Sequence, residues 1–230
     1  MQSNQNIHKN KTQDNIKKMV GIGVFSALAF AVVAICQLIP KVSGFLSIEL
    51  KDSVIAIASF IYGPLAAPII AFIVSFLEFI TFSSTGPWGL LMNFVSSATF
   101  SGVASVIYRY KRSLNSAIIG FSVSVVTTTV VMLVLNPFIV PMFSPYVTFD
   151  MVVGMILPIL LPFNFAKALL NGAVAMLLYK PIIEAMRKAR LIKAGKYKTE
   201  FNKATVISLS VGGAFLVVSL TMLILLLIFA

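Results

Sequence analysis

The chain has 230 residues, of which 59% are hydrophobic and 11% charged, and a mean hydropathy of +0.99. Soluble domains carry about 25% charged residues, so a soluble fold is excluded and an all-α membrane protein of six or seven helices, at ~20 residues per crossing, is expected. A lone Cys36 and a lone His8 leave no disulfide, no redox pair and no histidine metal site or histidine base within the membrane.

Residues 1–17 read as a polar, cytoplasmic N-terminal tail. The apolar run 18–39 follows with no A-x-A-type cleavage site and with many further apolar runs behind it, so it reads as a retained helix and not a signal peptide. On it Gly23, Ala27, Ala31 and Ala34 lie near i, i+4 spacing, a small-residue face of the kind that lets another helix approach closely in lipid. Packing within the bundle would use the same face. The run 48–62 is short and polar at its start, where Glu49, Lys51 and Asp52 cluster, and reads as a half-buried or tilted helix. After the Gly63-Pro64 turn, the run 64–82 carries Glu78 about one turn from its end. Thr85-Gly86-Pro87 marks another turn before the run 88–108, which carries Trp88 and Asn93 near its start.

The fifth run, 115–135, is expected to close at Asn136. A loop over 136–150 follows, with Pro137, Pro141 and Pro145 among Phe138, Phe143, Tyr146 and Phe149. It reads either as a semi-rigid aromatic cap or as an interfacial aromatic belt. The run 151–179 is long and contains Pro158 and Pro162, which predicts a kink or a re-entrant start. Residues 18–185 therefore form a six-helix membrane domain. Residues 186–203 form a basic cytoplasmic linker, and residues 204–230 an additional apolar segment that can make a seventh helix.

The charges orient these runs. Lys9, Lys11, Lys17 and Lys18 precede the first, Arg109, Lys111 and Arg112 follow the fourth, and eight more follow the sixth. Fifteen of the eighteen basic residues thus fall on one side, which the positive-inside rule makes the cytoplasm, so the N-terminus is inside. The opposite loops carry only Lys41; Lys51 and Lys167 lie within the membrane. The net charge of +11 therefore reports topology and anionic membrane lipid, not nucleic acid.

An ionisable group at membrane depth costs roughly 2.5–3.5 kcal/mol on insertion scales and normally faces a cavity or a partner. Glu49, Lys51, Asp52, Glu78 and Lys167 all fall in the outer half or near the middle. Asn164, Lys167 and Asn171 recur at i, i+3, i+7 and share a helix face. Interhelical hydrogen bonding would explain any one asparagine; Asn93, Asn136, Asn164 and Lys167 at one depth point to a ligand cavity open to the outside. Amides and one ammonium suit a flat, neutral, polar-edged molecule better than a metal, which would want clustered carboxylates or histidines. Trp88, Tyr146 and Phe163 offer stacking faces.

There is no G-x-x-x-x-G-K-[ST] phosphate loop, no G-x-S-x-G and no H-E-x-x-H, so neither ATP hydrolysis through a phosphate loop nor these catalytic devices is available. Two similar halves with paired broken helices, the pointer to an alternating-access carrier, are not seen. A stand-alone ion-coupled carrier of a vitamin-like solute, with Glu78 or Asp52 titrating, stays open as an alternative; an integral membrane enzyme would need a nucleophile–base pair or clustered acids.

The stretches Leu46-Ser47-Ile48-Glu49-Leu50-Lys51-Asp52-Ser53, Tyr62-Gly63-Pro64-Leu65-Ala66, Ser84-Thr85-Gly86-Pro87, Leu91-Met92-Asn93-Phe94, Asn136-Pro137 and Pro162-Phe163-Asn164-Phe165-Ala166-Lys167 carry a resemblance. Over roughly residues 18–185 the chain resembles the substrate-binding S component of bacterial energy-coupling factor vitamin transporters, and among these the riboflavin-specific kind. The resemblance implies six helices, an outward-open pocket and riboflavin as transported ligand, with no cofactor. It also implies assembly with a transmembrane coupling subunit and two cytosolic ATPases. The expected pocket residues are Glu49, Trp88, Asn93, Asn136, Phe163, Asn164 and Lys167; the family's A-x-x-x-A contact motif on the first helix is matched by Ala27 and Ala31. The segment after residue 203 departs from the six-helix pattern.

Overall fold

The computed structural model describes residues 2–188 and 203–229. The elements are α1 (Gln2–Cys36), α2 (Lys51–Tyr62), α3 (Ala66–Thr81), α4 (Gly86–Lys111), α5 (Leu114–Phe143), α6 (Phe149–Met155), a π-helical turn (Ile156–Leu160), α7 (Leu161–Lys188) and α8 (Lys203–Phe229). Among the described residues the one strand-like feature is an isolated bridge between Val42 and Leu46. Among the described residues five segments are long and apolar enough to cross a membrane: Asn15–Cys36, Gly86–Lys111, Asn115–Phe143, Phe149–Tyr179 and Leu209–Ile228, with Ala66–Thr81 a shorter apolar helix. The chain is an all-α membrane bundle.

α2 explains how a run starting Lys-Asp-Ser sits at this depth. Its 12 residues rise about 18 Å, short of the ~30 Å hydrocarbon core, and Lys51 through Ser59 are all buried. It is an internal half-length helix wrapped by its neighbours. On α1, Phe25, Ala29 and Val33 recur at i, i+4, i+8 and are buried in the main core with Ile55, Ile57, Ile70 and Val74. Gly21 is required on this face, because a Cβ there would collide with the Tyr62 ring. The opposite face of α1, with Val24, Ala27, Leu28, Ala31 and Ile35, is exposed.

Two boundaries differ markedly from the sequence reading. α1 starts at Gln2 and not at Lys18, because residues 2–17 are polar but contain no glycine or proline to stop a helix. α5 runs on to Phe143, with Pro137 and Pro141 inside it, so Asn136 does not close the helix and the following loop shrinks to 144–148. Proline normally ends a helix by removing a donor, here the donors for the Leu133 and Pro137 carbonyls four residues back, but helices packed within a membrane bundle tolerate such breaks. The sixth apolar run is one continuous path, and its expected kink is the π-helical turn around Pro158. Part of the 186–203 linker lies outside the described residues.

α8 packs along α7. A Cβ on Gly212 would come within 3.4 Å of the Ala173 carbonyl and the Leu177 side chain, and Leu223 and Leu226 are buried with Val140, Val152 and Leu160. α8 thus runs antiparallel to α7 and ends at the same end of the bundle as α6.

Candidate functional site

The intramembrane polar residues meet at the end of the bundle where α2 begins. Lys51 Nζ lies 2.6 Å from both Glu78 carboxylate oxygens and 3.0 Å from Glu49 Oε2. Lys167 Nζ lies 3.1 Å from the same Glu49 oxygen. Asn93 Nδ2 donates to Glu78 Oε2 at 2.8 Å, and Asp52 Oδ1 accepts from Ser97 Oγ at 2.5 Å. One chain of charge-assisted bonds therefore joins the 37–50 loop, α2, α3, α4 and α7. At low local dielectric such bonds are strong when complete and costly when half made.

Asn171 has a different duty. It is fully buried; its Oδ1 accepts from the Ser53 backbone N–H at 2.9 Å, while Nδ2 donates to the Glu49 carbonyl at 2.7 Å and the Lys167 carbonyl at 3.0 Å. Leu50, at the cap position of α2, makes no side-chain cap bond, so α7 caps α2 from outside. Asn171→Ala is expected to lower stability by roughly 1–3 kcal/mol, the cost of stranding buried donors. A thermal midpoint equal to wild type in the same detergent would contradict this.

A cavity of about 120 Å³ opens at this end between the 37–50 loop, the end of α3, the start of α4, α5 and α7. Its wall includes Glu49, Asn93, Asn136, Phe163, Asn164 and Lys167, six of the seven expected pocket residues. The seventh, Trp88, is not part of the wall and is exposed: it faces outward at the start of α4 while Gly89, Leu90 and Asn93 face in. Tyr146 is 90% exposed and takes no part either. The aromatic wall comes instead from Phe45, Phe79, Phe82 and Phe143 beside Phe163.

Sequence reasoning missed Phe79 and Phe82, although their i+1 and i+4 spacing from Glu78 could have pointed to them. Phe45 and Leu46 carried no such signal, since they arrive by a tertiary fold-back. Val42 and Leu46 exchange backbone hydrogen bonds at 3.0 Å around Ser43 and Gly44, both at positive φ, and Val42, Leu46 and Ile48 are buried. Lys41 Nζ then donates to Ser84 Oγ at 3.3 Å across the mouth.

Several wall groups keep hydrogen-bonding capacity. Asn136 and Asn164 each donate Nδ2 to the carbonyl four residues back, at 2.6 and 2.7 Å, which leaves each Oδ1 as an open acceptor. Ser75 Oγ is buried at the wall without a partner. Lys167, 15% exposed at its side chain, has ammonium donors beyond the one given to Glu49. Two ammoniums (Lys41, Lys167) balance two carboxylates (Glu49, Glu78) on the wall, an arrangement suited to a neutral solute. Among the described residues no group of three or more His, Cys, Asp or Glu side chains could hold a metal.

The sequence model of one family, ECF transporter, substrate-specific component, matches residues 17–179. The chain belongs to this family. A substrate-specific component is a transport protein and not an enzyme. Among curated relatives, the riboflavin transporter RibU of Staphylococcus aureus (strain TCH60) is 29% identical over 177 residues, spanning 75% of this chain and 93% of the relative. The riboflavin transporter FmnP of Bacillus subtilis (strain 168) is 26% identical over 187 residues, spanning 76% of this chain and 98% of the relative. A solved structure described as "Structure and mechanism of the S component of a bacterial ECF transporter" aligns with a TM-score of 0.63 and 30% identity, covering 75% of this chain and 99% of that one. The family match ends at residue 179, so α8 of this substrate-specific component lies beyond it.

Proposed function

We propose that this substrate-specific component captures riboflavin in the cavity at the head of α2 and passes it on in complex with a transmembrane coupling subunit and two cytosolic ATPases. The observation that carries the ligand is the pairing of the open Asn136 and Asn164 acceptors with the Lys167 ammonium inside an aromatic wall. The isoalloxazine ring is flat and neutral, and its pyrimidine edge sets one N–H donor between two carbonyl acceptors. The asparagine oxygens suit the N–H, the Lys167 ammonium suits a carbonyl, and Phe45, Phe79, Phe82, Phe143 and Phe163 suit the ring faces. Two relatives are themselves riboflavin transporters.

The concentration of basic residues at the other end of the bundle supports an inside N-terminus and a cavity facing outwards. At about 120 Å³ the cavity is below the ~300–1,000 Å³ usual for small-molecule sites. Uptake of a molecule the size of riboflavin therefore requires the cavity to widen.

Asn164→Ala and Lys167→Ala are each expected to weaken riboflavin binding by roughly 1–3 kcal/mol, the cost of leaving buried partners unpaired. Titration of the purified protein, followed by quenching of flavin fluorescence, measures it. Unchanged affinity in both folded variants would move the ligand out of this cavity.

A further inference from the structure

A second cavity lies at the opposite end of the bundle and plays no part in the substrate site. It measures about 280 Å³ and is walled by the end of α2, the 63–65 turn, the end of α4 and α1. Lys18, Arg109 and Arg112 line it, and among the described residues none of its wall is acidic. Arg112 caps the end of α4 in the left-handed region, at φ 44°, a place where glycine or asparagine is usual. Tyr62, also in the wall, has a phenol oxygen that is buried without a hydrogen-bond partner. The turn Gly63-Pro64-Leu65 adds the N-terminal end of α3, where backbone dipoles favour an anion.

The cavity also borders a greasy surface. Leu65 in its wall is 74% exposed, and Met19 and Val20, beside Lys18, are 72% and 50% exposed. A cationic hollow edged by exposed apolar side chains matches a molecule with an anionic head and hydrocarbon tails. We propose that this cavity binds a phosphate group, held by Lys18, Arg109 and Arg112, and that the phosphate is the headgroup of an anionic phospholipid.

The full chain is reconstituted in phosphatidylcholine nanodiscs doped with spin-labelled phosphatidylglycerol or spin-labelled phosphatidylcholine, and the protein-bound fraction of each is measured. Wild type is expected to prefer phosphatidylglycerol, and the preference to fall roughly fivefold for each cation replaced in Lys18→Gln, Arg109→Gln and Arg112→Gln, the equivalent of about 1 kcal/mol apiece. Lys17→Gln/Lys111→Gln/Lys188→Gln, which removes three exposed charges from the same end that are not part of the cavity wall, should keep the preference. An equal loss in both sets would reduce the effect to general surface charge and overturn the site. Glycerol 3-phosphate is added in a second arm, with thermal unfolding as readout. Stabilisation by it in wild type, lost in the cavity variants and without any lipid preference, would overturn the lipid as the source and assign the cavity to a soluble phosphate ester. No response in either arm would overturn phosphate binding and favour an acidic protein segment.

Discussion

Lys51→Met is expected to destabilise the folded bundle by about 3–5 kcal/mol, the loss seen when one partner of a buried ion pair is removed. Lys51 is 1% exposed, and its ammonium is the cation closest to both Glu78 oxygens while also touching Glu49. Methionine fills nearly the same volume, so the effect is electrostatic and not a cavity. Glu78 would keep only the Asn93 amide, and Glu49 only Lys167 among its cations. The double variant Lys51→Met/Glu78→Gln should recover much of the loss, because it removes the orphaned charge as well as its partner. Unfolding in detergent, followed by circular dichroism, gives the three stabilities. A double variant no better than Lys51→Met alone would contradict the pairing.

Ala27→Leu/Ala31→Leu is expected to abolish uptake in cells that supply the coupling subunit and ATPases while leaving riboflavin affinity within about twofold of wild type. Both residues are exposed on the face of α1 turned away from the core, and neither borders the cavity at the head of α2. Added methyl groups on a small-residue face block close helix approach without entering the interior, since Phe25, Ala29 and Val33 fill that side. Binding is read by fluorescence titration and uptake by labelled riboflavin. Loss of affinity in the variant, with uptake falling only in proportion, would show that α1 acts through packing.

Charges stranded among apolar residues were the most readable part of the site. Glu49, Lys51, Asp52, Glu78 and Lys167 had to meet a partner or a cavity at membrane depth, and they do. What one dimension does not encode is which polar group serves the scaffold and which the ligand. Asn164, Lys167 and Asn171 share a face of α7, yet Asn171 is consumed in capping α2, and only the path of α2 decides that. Aromatic residues misled for a related reason: Trp88 and Tyr146 lie near the correct level but on outward faces, while Phe45 reaches the cavity through the fold-back of the 37–50 loop. The sequence places the end of α5 at Asn136 because the cost of the following proline is local and visible, while the packing that carries the helix on to Phe143 is not. α8 was legible as apolar; its seat on α7 depends on Gly212 meeting Ala173.

Capture without pumping is the central claim, and flavin accumulation by the purified chain in proteoliposomes tests it most directly. Glu78 and Asp52, the groups an ion-coupled carrier would titrate, are bound to Lys51 and Ser97, and the chain has no phosphate loop. Binding alone shifts only the equilibrium of the bound complex. With a proton or sodium gradient imposed, flavin in the vesicles is expected to stop at the amount bound by the protein plus free flavin at the external concentration, and to rise only when the coupling subunit, ATPases and ATP are supplied. Accumulation above that level by the chain alone would identify a secondary carrier and contradict the account.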